Sequence, residues 1–398
     1  VRVAVIHRSL EAEVRHLGEE GGTSLQLLLA LRGLGAEVFA LTQSPEPERF
    51  AGGTIGGLDG VVWHDTRRAP LLAPADKALK LAFGHRKLAT DALRARRALS
   101  AHGPFDAILA FSEEPDGLLG GALAALGERA PLVVGIQALR YAFRDGAPRF
   151  DGQRALRFGF RRARRVVANS PMVAEDLQRH YGVAEERLAW VPPNLTRRFL
   201  DSTADAPSGR ASPPTVLFLG AINEKKGADV FLDAAALLAR ARADLRFRMV
   251  GGITDPNSAF SRSWRERVGR AALGPRLVEL GHVPPSTVAS EVRAAAVAVL
   301  PSRMDEFSRA AVEALALGTP VVMTSRMGAA FYPERDGSGR VVPPGDARAL
   351  ADGVRGVLDD PRPRERAAAA AGTLREELSP ARVAEGWLRV LQGAAGRV

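Results

Sequence analysis

The fold is read from Pro301-Ser302-Arg303-Met304-Asp305-Glu306-Phe307-Ser308-Arg309-Ala310-Ala311-Val312-Glu313-Ala314-Leu315-Ala316-Leu317-Gly318-Thr319-Pro320-Val321-Val322. The apolar run 294–300 that precedes it has the composition of a strand and ends in a short acidic loop. A helix is expected over 307–317, closed by Gly318, and a second strand opens at Pro320. Strand, helix and strand at this spacing make a βαβ unit, which joins two parallel strands. Asp305 and Glu313 stand on either side of the helix start, one before it and one about two turns inside it. A helix N-terminus offers free N–H groups and a positive dipole end to an anion. Carboxylates placed around it can accept hydrogen bonds from hydroxyls flanking a bound phosphate.

The alternation extends in both directions. Upstream lie an expected strand 215–219, helix 227–241, strand 245–250, helix 258–272, strand 277–280 and helix 286–294. Downstream lie strands 320–323 and 340–342, helix 346–359, an Ala/Arg/Glu-rich helix over 364–376 and an amphipathic helix over 379–391 carrying Trp387. The first half opens with a strand at 1–7, a helix at 24–34 capped by Thr23 and a strand at 37–42. Further strands are expected at 60–63, 106–111, 132–136, 165–169 and 188–191. Residues 201–214 hold no aliphatic side chain larger than Ala and three prolines, so they read as a linker. The expected fold class is therefore α/β, with two Rossmann-like domains, 1–200 and 215–378, facing each other across a cleft. Residues 379–398 form a last helix packing back toward the first domain. Ligands in open α/β sheets bind at the carboxyl ends of strands, which makes that cleft the expected site.

Composition narrows the function classes. A chain of 398 residues exceeds one ordinary core, and 46% apolar with 25% charged residues is the balance of a globular protein. No run of 18 apolar residues marks a transmembrane helix, and 1–6 reads as a strand, not a leader peptide. The absence of cysteine rules out disulfides and thiolate metal sites and fits a cytoplasmic location. The net charge of +10 comes almost wholly from arginine, with five lysines, and is spread over both halves, so nucleic-acid binding is not expected. Arg140, Arg144, Arg149, Arg154, Arg157, Arg161, Arg162, Arg164 and Arg165, against Asp145 and Asp151, form a local cluster. It reads either as a solvated helix face or as a site for an anionic acceptor or acidic membrane surface. Between 64 and 102, Lys77, Lys80, Arg86, Lys87, Arg94, Arg96 and Arg97 interleave with Leu79, Leu81, Phe83 and Leu88. That pattern fits an ordinary amphipathic helix or a peripheral contact with the inner face of a membrane.

Four constellations carry the chemistry. Gly21-Gly22-Thr23-Ser24 opens the first helix, where glycine lets backbone approach a phosphate or sugar, although a plain tight turn fits equally. In Gly220-Ala221-Ile222-Asn223-Glu224-Lys225-Lys226-Gly227, Lys226 immediately precedes the helix start and is placed to neutralise a diphosphate, the alternative being a solvated βα turn. The stretch quoted first is the third. The fourth runs from Ser325 to Gly345 and includes a Gly-Ala pair, Gly337-Ser338-Gly339 and Val342-Pro343-Pro344-Gly345-Asp346. Glu113 and Glu114 end a central strand and are candidates for the acceptor side, the alternative being charges at a helix start. No Asp-x-Asp metal motif is present, and no metal is expected. His7, His16 and His282 read as structural or lining residues.

In this order and spacing the motifs resemble those of glycosyltransferase family 4, retaining enzymes with the GT-B fold. The resemblance covers nearly the whole chain. It is strongest in the C-terminal half, in the Lys-Gly turn, Gly251-Gly252, Gly281-His282-Val283, the Pro-Ser loop, Gly318-Thr319-Pro320-Val321-Val322 and the closing Pro-Pro-Gly-Asp turn. In the N-terminal half it rests on the glycine pair, Glu114-Pro115, Ala168-Asn169-Ser170 and Val191-Pro192-Pro193-Asn194. It implies a nucleotide-sugar donor, UDP- before GDP-linked, held as co-substrate with no separate cofactor. Glu313 would accept from the ribose hydroxyls, and Lys226 would contact the diphosphate. Backbone N–H groups around Phe307, Ser308 and Arg309 would hold phosphate and sugar hydroxyls, and Asp305 would face the donor sugar. Gly21, Gly22 and Gly220 would line the donor.

Three positions depart from the family pattern. Asp305 stands where Glu is usual, Ala221 where Arg usually follows the turn glycine, and Gln137 where His usually follows strand 132–136. Arg309 or Lys225 could replace the cation absent at Ala221. Gln137 can hydrogen-bond a sugar hydroxyl on the reaction face but cannot titrate. The readings that remain beside transfer are a catalytically silent sugar-nucleotide-binding partner and a sugar-nucleotide epimerase of the same fold.

Overall fold

The computed structural model describes residues 1–7, 10, 22–44, 54–64, 69–83, 87–111, 116–136, 139, 142–144, 147–149, 154–202 and 211–397. The chain forms two units, Val1–Tyr141 with Phe150–Arg197 and Leu378–Val398, and Ala142–Arg149 with Arg198–Glu377. Among the described residues no helix is long and apolar enough to cross a membrane.

The elements begin with β1 (Arg2–Ile6), α1 (Thr23–Gly33), β2 (Glu37–Ser44), β3 (Thr54–Ile55), β4 (Leu58–His64), α2 (Ala73–Phe83), α3 (Leu88–His102) and β5 (Ala107–Phe111). They continue with α4 (Asp116–Ala125), β6 (Leu132–Gly135), the hairpin β7 (Ala142–Arg144) and β8 (Ala147–Arg149), and α5 (Arg154–Arg162). β9 (Arg165–Ala168), α6 (Pro171–Tyr181), β10 (Leu188–Trp190) and α7 (Arg197–Ser202) follow. The second series is β11 (Thr215–Leu219), α8 (Ala228–Ala241), β12 (Arg246–Val250), α9 (Ala259–Arg262), α10 (Trp264–Ala271), β13 (Leu277–Gly281), α11 (Pro285–Ala294) and β14 (Val297–Leu300). It ends with α12 (Arg309–Ala316), β15 (Val321–Thr324), α13 (Phe331–Asp336), β16 (Gly339–Val342), α14 (Ala347–Asp359), α15 (Arg362–Glu377) and α16 (Pro380–Ala395).

In the first unit the strands lie in the order β10-β9-β6-β5-β1-β2-β4-β3, parallel except for β3 against β4. β1 shows why its sequence is continuously apolar. Ala4 and Ile6 enter one core and Val3 and Val5 the opposite one, so alternate side chains are buried on both faces. The second face is covered by α1 and α16, where Trp387, Leu391 and Ala394 join Val3, Val5 and Val133. α16 begins with a Ser379 hydroxyl accepting from the Arg382 N–H and ends at Gly396 in the left-handed region. A Cβ on Gly135 would overlap the Trp387 ring, so that strand end is glycine because an aromatic ring rests on it. Arg397 then pairs with Asp106 at 2.5 Å.

The second unit has six parallel strands in the order β13-β12-β11-β14-β15-β16. Taken in chain sequence this is third, second, first, fourth, fifth, sixth, the doubly wound Rossmann arrangement. Val216 and Phe218 of β11 face α8 and α14 through Phe231, Leu238, Leu350 and Val354. Phe218 and Phe231 meet tilted, and Phe231 and Phe247 edge-on, with ring centres 5.3 and 6.5 Å apart. The direction of chain travel reverses at the pair β11–β14, registered by Val216 against Val297 and Phe218 against Val299. The loops that leave these two strands therefore start side by side at the carboxyl edge of the sheet, where ligands of such sheets bind.

Some expected boundaries differ. The helix expected over 258–272 is two, because Ser258 caps a short turn and Ser263 begins a new helix on Trp264. Residues 201 and 202 close α7 and are not linker, and 203–210 lie outside the described residues. β3, β7, β8 and α13 are two to six residues long, too short to show a period in sequence.

Candidate functional site

Three loops meet at the carboxyl edge of the second sheet. The first follows β11. The Gly220 N–H donates to the Val250 carbonyl and the Ile222 N–H to the Gly252 carbonyl, tying this turn to the end of β12. A Cβ on Gly251, which has φ +126°, would overlap the Gly220 carbonyl, so the close approach of these turns requires glycine. The Asn223 side chain accepts from the Lys226 N–H at 2.8 Å and donates to the Thr254 hydroxyl at 3.2 Å. Gly227 caps α8 at φ +69°, and a Cβ there would overlap the Pro301 carbonyl. The sequence thus places a lysine between a side-chain-held turn and a glycine that only backbone can pass.

The second loop follows β14. Arg303 binds it to the first: its N–H donates to the Lys225 carbonyl at 2.8 Å and its guanidinium to the Glu224 carbonyl at 2.7 Å. The same guanidinium holds both oxygens of Asp229, in the first turn of α8, at 2.8 and 2.7 Å. The Asp229 carboxylate pushes the Arg303 pKa above its ordinary value through these bonds. Lys226 Nζ lies 2.6 Å from Asp305 Oδ2, and Lys225 lies 3.8 Å from Glu306.

The third loop follows β15. The Asp305 N–H donates to the Arg326 carbonyl, and the Gly328 and Ala329 N–H groups return to the carbonyls of Asp305 and Phe307. Thr324 donates its hydroxyl to the Ser302 carbonyl at 2.6 Å. The Gly-Ala pair of the fourth constellation is thus spent on shaping the acidic loop. Phe307 is buried and edge-on to Tyr332 at 6.3 Å.

α12 begins at Arg309, two residues after the expected start, because Ser308 holds φ +74° and ψ 83°. A non-glycine residue in the left-handed region is strained by about 1–3 kcal/mol, and such strain concentrates at functional sites. The first-turn N–H groups of Arg309 and Ala310 have no hydrogen-bond acceptor among the described residues. Burial pushes the Glu313 carboxyl above its ordinary pKa, and Arg309 one turn earlier pulls it partly back. Arg309 is exposed on the helix surface.

Lys226, Asp305, Phe307, Ser308, Arg309, Glu313 and Gly220 are therefore gathered on the loops and helix at one sheet edge. Gly22 is buried immediately before α1, at φ −84° and ψ −175°. Gly21, Glu113, Glu114 and Gln137 lie outside the described residues, as does His16. His7 is buried against Phe111, with ring centres 5.2 Å apart, and burial lowers its pKa to about 4. The His282 ring rests on Gly252, where a Cβ would meet it. Three of the nine clustered arginines have partners within the fold: Arg157 donates to the His180 carbonyl, Arg162 lies over the Phe158 ring and Arg165 reaches the Glu186 carbonyl. Sequence reasoning missed Arg303, Asp229 and Asn223. The signal for Arg303 was its place between the Pro-Ser pair and the acidic residues. Among the described residues no group of three or more His, Asp or Glu side chains could hold a metal ion.

Comparisons with known proteins bear on the family and the fold. A family model described as glycosyl transferases group 1 matches residues 213–360, and one described as a glycosyl transferase 4-like domain matches 21–194. The chain is 31% identical over 256 residues to a D-inositol 3-phosphate glycosyltransferase 1 of Catenulispora acidiphila, covering 61% of each protein. It is 28% identical to an alpha-D-kanosaminyltransferase of Streptomyces kanamyceticus, covering 61% of this chain and 65% of that one. The matches span between 45% and 61% of the length of the first three curated relatives. Sucrose-phosphate synthase from Thermosynechococcus elongatus superposes over 100% of both chains with a TM-score of 0.70 at 21% identity. Anabaena Alr3699/HepE, solved with UDP, superposes over 99% of this chain and 100% of its own, with a TM-score of 0.68 at 17% identity. These two structures share the fold.

Proposed function

We propose, from the premise that this chain belongs to the family 4-like glycosyltransferases, that it transfers a sugar from a nucleoside-diphosphate donor to a hydroxyl acceptor with retention at the anomeric carbon. The observation that carries the proposal is the meeting of Lys226 and Asp305 beside the open N-terminus of α12. The donor is UDP-linked before GDP-linked, in keeping with the Anabaena neighbour, which was solved with UDP and with UDP-glucose.

The diphosphate lies over the first turn of α12, received by the N–H groups of Arg309 and Ala310, with Lys226 opposite. As the bond from the anomeric carbon to the β-phosphate oxygen breaks, its electron pair leaves with the phosphate. Lys226 and the helix N-terminus neutralise that charge, so a metal ion is not needed for it. The acceptor oxygen attacks the same face of the sugar and forms the new C–O bond. Its proton passes to the departing phosphate oxygen, and no protein nucleophile takes part. Asp305 exchanges Lys226 for a donor-sugar hydroxyl, and Glu313 accepts from the ribose hydroxyls. Arg309, exposed on the same turn, supplies the cation that Ala221 does not.

The test pairs calorimetry of UDP-, GDP- and ADP-sugars with proton NMR of the product's anomeric configuration. Binding of one donor series and retention are expected. An inverted product would defeat the retaining mechanism, and failure of every nucleotide to bind would defeat the donor site. Binding without donor turnover would transfer the reading to a silent sugar-nucleotide-binding protein, a role that Ala221 favours.

A further inference from the structure

Two leucines on one short segment stand outside every core. Leu71 is 95% exposed and Leu81 83%, whereas the other exposed large apolar side chains among the described residues reach 38–48%. Leu71 belongs to the tight turn Pro70–Leu72 that leads into α2. The orientation of α2 is fixed from its inner side. Asp76 accepts from the Ala89 and Thr90 N–H groups and from the Thr90 hydroxyl, capping α3 from a neighbouring helix, and Leu79 and Phe83 pack on the core. Leu81 consequently points away, beside exposed Lys77, Ala78, Lys80 and Pro74. An ordinary amphipathic helix would have turned this leucine inward.

The charge on this face has one sign. Asp76 is the sole acidic residue between 69 and 83, and it is buried and satisfied. Lys77 and Lys80 are two of the five lysines in a chain whose cations are otherwise arginine. We propose that this face of α2 docks on an anionic lipid surface. A protein interface needs a packed central cluster of anchors. Here one leucine projects from the turn and one from the helix that follows it, which suits the headgroup boundary of a bilayer. Lysine stems can lie along that boundary with their ammonium groups at the phosphates. The proposal is independent of the donor site. It makes the contact peripheral and reversible, since two leucines and a few cations give only modest membrane affinity.

The test is sedimentation of the full chain with vesicles of phosphatidylcholine alone and of phosphatidylcholine mixed with phosphatidylglycerol. Binding to the anionic vesicles is expected to exceed that to the neutral ones at least about tenfold and to weaken with added salt. Leu71→Ser with Leu81→Ser should weaken binding at least about tenfold, and Lys77→Gln with Lys80→Gln should remove the preference for anionic lipid. All four side chains are exposed, so unchanged melting temperatures will show that the variants are folded. The proposal is overturned if the intact chain stays in the supernatant with both vesicles, or if the variants bind like the parent. It is equally overturned if the leucine variants change the hydrodynamic size of the chain while vesicles bind nothing, which would mark a protein interface.

Discussion

Lys226 Nζ sits 2.6 Å from Asp305 Oδ2, with the lysine side chain 31% and the aspartate 14% exposed. Without a ligand, the cation proposed for the diphosphate is held by the carboxylate proposed for the sugar. Donor binding then replaces one charged partner of Lys226 with another, which lowers the net gain but keeps the ammonium aimed at the site.

Lys226→Ala should weaken nucleoside-diphosphate binding roughly 10- to 100-fold, the worth of one charge-assisted hydrogen bond. Asp305→Asn should leave that affinity equal or tighter, because Lys226 is released, while slowing sugar transfer. Calorimetry and initial rates separate the two. Parental affinity in Lys226→Ala would remove the lysine from the site.

The Arg303–Asp229 pair is the fastener between the two loops, with side chains 15% and 14% exposed. Loss of either partner strands the other, so Arg303→Ala should cost about 2–3 kcal/mol. Denaturant titration of both single variants and the double variant checks this. The double variant should be hardly less stable than either single one, and full additivity would show that the residues do not act as a unit.

Two substitutions at positive φ should act in opposite directions. Gly227→Ala meets both the left-handed backbone and the Pro301 carbonyl and should destabilise by at least about 2 kcal/mol. Ser308→Gly relieves strain and should stabilise by up to about 1 kcal/mol. Chemical denaturation reads both, and a destabilised Ser308→Gly would mean that the hydroxyl has a role the backbone argument ignores.

Glu313 has its folded-state pKa raised above the ordinary 4.5 by burial. Its contribution to stability therefore falls as pH rises from 4.5 through the raised value, and the penalty is complete above it. Glu313→Gln should flatten that part of the stability–pH profile and be no less stable than the parent at neutral pH, yet bind the nucleotide more weakly. Melting temperatures across pH, with calorimetry at neutral pH, test it. Unaltered nucleotide affinity would detach Glu313 from the ribose.

His7 titrates in the unfolded chain near 6.5 and in the fold near 4. Only the unfolded state takes up the proton between these values, so stability is lost as pH falls from 6.5 to about 4. The loss totals on the order of 3 kcal/mol. His7→Gln should reduce this acid sensitivity in pH-dependent unfolding. An unchanged profile would assign the loss to other groups.

The strands of the second unit were legible because most are short apolar-rich runs closed by glycine or proline, and β14, α12 and β15 could be placed from one stretch. Glu313 and Asp305 were legible as carboxylates around a helix start. The Ser308 kink was not, because nothing in serine signals a positive φ, and neither was the exposure of Leu81. Its neighbours Leu79 and Phe83 pack inward, and only the Asp76 anchor decides which side of α2 faces out.

The sequence by itself determined the α/β alternation, the turn glycines and the chemical types at the helix starts, since these follow from residues within a turn or two of each other. The tertiary structure decided which of them meet. Lys226 and Asp305 are 79 positions apart and Arg303 and Asp229 are 74. They are neighbours only because β11 pairs with β14 at the reversal of the sheet. Pairing of that kind is selected by burial on both faces of the sheet, a property of the assembled layers that no local window of the chain contains.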